Sequence, residues 1–186
     1  LPSQGKIEKG NPAEVPSTRK GDYMNRFNRS MEIPKVTVAN LYTGQMEYNL
    51  ENIITATALK QVMDLVYYEK VREKEGRTTL QIFFDTDPAK WEQMNTIVRN
   101  ELKRLSEVGP RQEDFKKTQD NLLKRHAEVL QENSYWLNVL DDYYYKGFDT
   151  DTDYELIVKA LTPEKIKAFA QKLLGQANRV EVIMQP

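Results

Sequence analysis

Few residues in this chain could do chemistry, and most of the reading follows from which are present. There is no cysteine, which removes disulfides, thiolate nucleophiles, iron–sulfur clusters and cysteine-containing zinc sites together. There is one histidine, His126, so a motif such as H-x-x-E-H, which sets two imidazoles on one helix face, cannot be built here. His126 lies on an apolar stripe with Leu122 and Val129 and reads as a packed or rim histidine rather than a catalytic one. Asp149, Asp151 and Asp153 imitate the opening of a calcium loop. Tyr154 then stands where such a loop needs glycine and Ala160 where it needs a bidentate glutamate, so these carboxylates read as a solvated turn that caps a helix. Tyr143, Tyr144 and Tyr145, with Tyr135 and Trp136, could form an aromatic wall for a peptide, but core packing is the expectation for most of them. Arg72, in the charged run Tyr68–Gly76, reads on its own as part of a solvated helix end.

The elements that must position these residues are legible from periodicity. Residues 1–34, with Pro2, Pro12, Pro16, Pro34 and three glycines, read as a connector, extended from Asp22 to Met31. Residues 35–43 alternate as a strand. Asn49 then caps a helix expected to run to about Lys74 on Leu50, Ile54, Leu59, Val62, Met63 and Val66. Residues 78–86 place Leu80, Ile82 and Phe84 on one strand face, and Asp87-Pro88 offers a helix cap with proline at the first position. Amphipathic helices follow on Trp91–Leu105 and on Phe115–Val129, separated by Gly109-Pro110. A further helix ends near Gly147, a last one opens at Thr162-Pro163, and a strand covers Arg179–Met184. The order predicts an α+β fold, an antiparallel-rich sheet with helices packed on one face.

The 186 residues fit one domain or slightly more, and the net charge of −1 leaves no footprint for phosphate backbones or anionic lipid, so no nucleic-acid partner is expected. No run of about 18 apolar residues occurs, and no membrane insertion is expected. The chain starts at Leu1 and not at methionine, so it is expected to be processed or, the reading preferred here, a piece of something larger.

The runs YEKVREKEG (68–76), LQIFFDTDPAKWEQM (80–94), LSEVGPRQEDFKKTQDNLLKR (105–125) and above all ENSYWLNVLDDYYYKG (132–147) resemble the pitrilysin/insulinase-like zinc metallopeptidases, over about residues 45–186. They resemble the second, non-catalytic half-domain of the pair that forms the clamshell of those enzymes. The resemblance implies two homologous α+β halves around a chamber, with zinc held by H-x-x-E-H in the first half and a glutamate activating water. It assigns residues 35–186 to the half that lacks the metal, with zinc expected in a partner catalytic half, in the same polypeptide or a separate subunit, and none in this chain. It also implies that an arginine and a tyrosine seven residues later hold the peptide backbone. Arg72 occupies the arginine position, and Thr79 stands where the tyrosine belongs. A glycine-rich stretch that the family carries after this arginine is missing between Gly76 and Arg77, so a piece is expected to be absent there. The function so implied is to hold peptide against the zinc-bearing half. A structural or assembly subunit of the same fold, and a helical scaffold binding an unrelated protein through its tyrosines, are the alternatives.

Overall fold

The computed structural model describes residues 20–64, 69–74 and 77–186. Five strands form one sheet: β1 (Asp22–Asn28), β2 (Val36–Gln45), β3 (Glu69–Lys74), β4 (Arg77–Thr86) and β5 (Arg179–Gln185), in the order β1-β5-β2-β4-β3. Every neighbouring pair is antiparallel except β1 with β5, where Asp22 lies opposite Arg179 and Asn28 opposite Gln185 in parallel register. The helices are α1 (Leu50–Asp64), α2 (Trp91–Val108), α3 (Gln112–Val129), α4 (Asn133–Asp141), α5 (Tyr154–Lys159) and α6 (Pro163–Gly175). An α+β fold with helices over an antiparallel-rich sheet is therefore observed.

Strand alternation decides which side of the sheet the helices cover. On β4, Thr78, Leu80, Ile82 and Phe84 are buried toward the helices, while Phe83, one residue out of phase, is 55% exposed. On β2, Val36, Val38, Asn40 and Tyr42 point the same way, and on β5 Glu181 and Ile183 do. Against this face pack Leu59 and Met63 of α1, Val98, Leu102 and Leu105 of α2, and Ile166 and Leu173 of α6; Leu122 of α3, which packs on α1 and α5, extends the same continuous core. At Gly44 of β2 a Cβ would come within 2.8 Å of the Gln176 amide. That amide is held in place because Gln176 accepts from the Gln45 N–H at 2.6 Å and donates to its carbonyl at 3.1 Å, tying the end of α6 to the strand.

Local signals set several of the helix ends. Asn49 accepts from the Asn52 N–H at 2.8 Å, and Thr162 accepts from the Lys165 N–H at 3.3 Å ahead of Pro163. Gly109, at φ 87°, ends α2. Asp87, expected to cap α2, instead closes a turn: it accepts from the Ala89 N–H at 2.7 Å, and the helix begins at Trp91, a turn later.

Two elements differ from the sequence expectation. The helix predicted to reach Lys74 is described over Leu50–Asp64 and does not reach Lys74, because Glu69–Lys74 is strand β3; Val66 lies outside the described residues. The charged run has helical composition, but pairing along β4 from Glu69–Ile82 to Lys74–Arg77 supplies a ladder of backbone bonds, and tertiary context overrides propensity. The segment read as extended holds β1, whose side chains are mostly exposed, so it shows little of the alternation that marks a half-buried strand.

Replacing Ile82 with alanine is expected to cost about 3 kcal/mol, while Phe83→Ser, on the adjacent but uncovered position, is expected to cost less than about 1 kcal/mol. Urea unfolding followed by tryptophan fluorescence measures both, and equal losses would contradict the assignment of faces.

Candidate functional site

β3 lies at one edge of the sheet, with β4 on its inner side. In that hairpin Arg72 is directly opposite Thr79, and Lys74 is opposite Arg77. The two residues singled out seven apart in sequence are thus cross-strand neighbours in the backbone ladder. Thr79 is half-buried and out of phase with the core residues Thr78 and Leu80, which sets it on the side away from the helices.

That side is apolar in its middle. Across one row lie Val182, Ala39 and Phe83, and across the next Val180, Leu41 and Gln81, with Phe27 of β1 42% exposed at the far edge. Asp85 accepts from Thr37 and Lys35 on this face, and those two hydrogen bonds hold its carboxyl below the usual carboxylate range. The site that the fold offers is therefore a half-apolar sheet surface bounded by a strand edge, which suits an extended peptide added as a further strand.

His126 is placed differently. Its ring is 6% exposed and stacks on Tyr154 at 4.2 Å between centroids. Nε2 lies 3.1 Å from Asp151 Oδ1 and 3.2 Å from the Tyr135 hydroxyl, which itself donates to the same carboxylate oxygen at 2.6 Å. Nδ1 is buried without a partner, so the tautomer that fits carries its proton on Nε2 and donates it to Asp151. This imidazole locks α3 to the loop before α5 as a packed residue. Asp149 accepts from the N–H groups of Asp151 and Thr152 at 2.9 and 3.0 Å, shaping that loop. The reading of these aspartates as a turn holds, but the expected cap does not: Asp153 precedes α5 without a side-chain bond to it, because Asp149 closes the turn one step earlier and Asp151 points inward, and nothing in the spacing shows which carboxylate meets the histidine.

A zinc ion does not fit these residues. The single imidazole spends Nε2 on Asp151, and among the described residues no three His, Asp or Glu side chains converge.

The tyrosines correct another expectation. Tyr143, Tyr144 and Tyr145 are 56, 77 and 87% exposed and not packed in the core. They lie in a π-helical turn, Asp142–Lys146, that continues α4, and no residue of α4 is buried, so its apolar positions Leu137 and Leu140 face outward as well. Helical spacing identified an apolar face without showing that the described residues leave it uncovered.

No protein-family profile and no curated protein sequence matches the chain. Solved structures do match. A protease from Helicobacter pylori superposes with a TM-score of 0.77 at 14% identity, over 91% of this chain and 45% of that one. The peptidase M16 inactive domain from Pseudomonas fluorescens gives 0.70 at 15%, over 90% and 44%. The first half of the periplasmic protease PqqL from Escherichia coli gives 0.69 at 12%, over 90% and 42%. The fold is that of an M16-type peptidase half-domain, the architecture that the resemblance implied, and the chain spans less than half the length of these structures. Because one of them is named an inactive domain and another a first half, this architecture does not by itself separate the two kinds of half.

Burial and the Asp151 carboxylate push the Tyr135 phenol well above its ordinary value of 10.0. The protonated hydroxyl is the form the fold prefers, so this contribution to stability is fully present below about pH 10 and is lost as pH rises above it. Tyr135→Phe is expected to cost about 1–2 kcal/mol at pH 7 and to flatten the fall of stability above pH 10; an unchanged alkaline profile in the variant, read by chemical denaturation, would refute the bond.

Proposed function

We propose that this chain is the non-catalytic, substrate-binding half of a zinc metalloendopeptidase, holding an extended peptide against a partner half that carries the zinc. The observation that carries the reading is the register of Arg72 opposite Thr79 on the edge hairpin, beside an uncovered sheet face. A guanidinium is a rigid fork of several donors and no acceptor, which suits it to the carbonyls of a peptide backbone. Thr79 offers a shorter hydroxyl than the tyrosine of the family pattern, so Arg72 is assigned the larger share of the grip. Residues 35–186 form the body of this half, to whose sheet β1 adds an edge strand, and the family stretch lacking between Gly76 and Arg77 is part of the same proposal.

Hydrolysis belongs to the partner. Its metal would polarise the scissile carbonyl and activate water, and this chain's part is to orient the peptide, since a correctly held substrate needs less ordering at the transition state. The partner is a second half-domain, in the same polypeptide or a separate subunit.

A structural or assembly subunit of the same fold is the second reading. Thr79 in place of tyrosine favours it, as do the outward apolar side chains of α4, which suit a protein partner.

Assembly with a half bearing H-x-x-E-H is expected to give peptide cleavage, and Arg72→Ala to lower kcat/KM at least about tenfold, mainly through KM. Equal cleavage by the Arg72→Ala protein would remove the grip assigned to this residue and leave the assembly reading in its place.

A further inference from the structure

α4 and the π-helical turn after it form a stretch held in place with its apolar side out. Tyr135 clasps the Asp149–Asp153 loop through the Asp151 carboxylate, and the Trp136 indole N–H donates to the Leu130 carbonyl at 2.8 Å. At the other end Gly147, at φ 65°, turns the chain, and Phe148 packs on Tyr48 at 4.9 Å between ring centroids. Between these anchors Leu137 and Leu140, one turn apart, are 68 and 50% exposed, and the rings of Tyr143 and Tyr144 meet edge to face at 5.5 Å. An aromatic side chain carries about 150–250 Å2, so Trp136, 40% exposed, and the three outward tyrosines alone present on the order of 500 Å2. At that size an apolar surface marks a contact with another molecule.

The surroundings of this face are acidic. Between Glu128 and Glu155 the chain carries eight carboxylates and one lysine, against a net charge of −1 for the whole chain. Glu155 is paired with Lys159, Glu128 stands within 4.0 Å of Lys124 and Arg125, and Asp151 meets His126. Four others are exposed: Glu132 and Asp141 at the two ends of α4, and Asp149 and Asp153 on the loop that Tyr135 holds. Among the described residues none of these four forms an ion pair.

The charge chooses the occupant. A second copy would bring two acidic rims together, and an anionic membrane surface would be repelled in the same way. A neutral apolar partner would cover the rings but strip water from carboxylates that gain nothing in return. We propose that this face seats an amphipathic helix of a partner protein, with an apolar stripe flanked by Lys or Arg. The stripe would pack against Leu137, Leu140 and Trp136, as helices pack ridge into groove. The flanking cations would meet the four carboxylates and the faces of the tyrosines, whose rings also attract positive charge. Because α4 is already held at both ends, little ordering is lost when the partner arrives. The proposal does not rest on the grip assigned to Arg72, and its failure would leave that reading as it stands.

The test titrates the 186-residue chain with an acetylated, amidated dodecapeptide of three Leu-Lys-Lys-Leu repeats, its analogue with glutamate for lysine, and its analogue with glutamine for leucine. Trp136 reports contact by a shift of its emission to shorter wavelength, since Trp91, the other tryptophan, is buried. The leucine and lysine peptide is expected to bind at least about tenfold more tightly than either analogue. The double variant Leu137→Ser/Leu140→Ser is expected to lose at least about tenfold in affinity with an unchanged melting temperature, because both side chains are exposed. Glu132→Gln/Asp141→Asn is expected to lose severalfold and to flatten the dependence on salt. Phe83→Ser, on the open face of the sheet, is expected to leave the affinity unchanged. Equal binding of either analogue, an unaltered affinity in the leucine variant, or a matching loss in Phe83→Ser would overturn the proposal. So would dimerisation in sedimentation equilibrium that the leucine variant abolishes, which gives the face to a second copy. Tighter binding to neutral phosphatidylcholine vesicles than to the peptide would overturn it too, giving the face to a membrane.

Discussion

The insertion of β5 between β1 and β2 is the constraint on which the rest of the structure depends. A strand from the chain's last residues occupies the second place in the sheet, so β1 has no partner until Arg179–Gln185 is in position. The register is fixed from below by polar groups. Asn40 of β2 donates to Asn95 of α2 at 2.8 Å, and Asn95 donates to the buried Glu181 carboxylate at 2.7 Å. A carboxylate only 1% exposed is tolerable only where donors meet it, and a slip of one residue along β5 would turn Glu181 to the other face and break that chain of bonds. Arg179 reaches Asp22 from the same strand and aligns the first residue of β1.

With the helices that pack on it all on one side, the sheet has a core side and a side that the described helices leave open. The core side holds the apolar mass and the histidine lock between α3 and the Asp149–Asp153 loop. The other side keeps valines, a leucine and two phenylalanines only partly covered. Such a surface is stable in water only because its apolar rows are short and flanked by Asp85, Lys35 and Thr37, and it has the form that protein and peptide partners use.

The same architecture serves a structure named an inactive domain and one named the first half of a protease, at 12 to 15% identity. Fold at that distance carries no chemistry; function lives in the site grafted on it. In this chain the one imidazole is spent on packing, and the partly exposed apolar rows of the sheet lie on the face away from it.

The sequence by itself determined the long helices, several of their caps, the buried faces of β2 and β4, and the poverty of catalytic groups, because periodicity, capping and composition are local or global properties that need no partner. Asn49, Thr162 and Gly109 act within a turn of their own position. Only the tertiary structure decided that Glu69–Lys74 is a strand, that the polar segment from Asp22 to Asn28 joins the sheet, that Asp151 rather than its neighbours meets His126, and that the tyrosines stay outside. Each of those outcomes depends on a group far away in the chain, β4, β5 or α3, or, over α4, on the described residues leaving its apolar side open, and the hydrogen-bond or contact energy that settles it does not exist until the two segments meet.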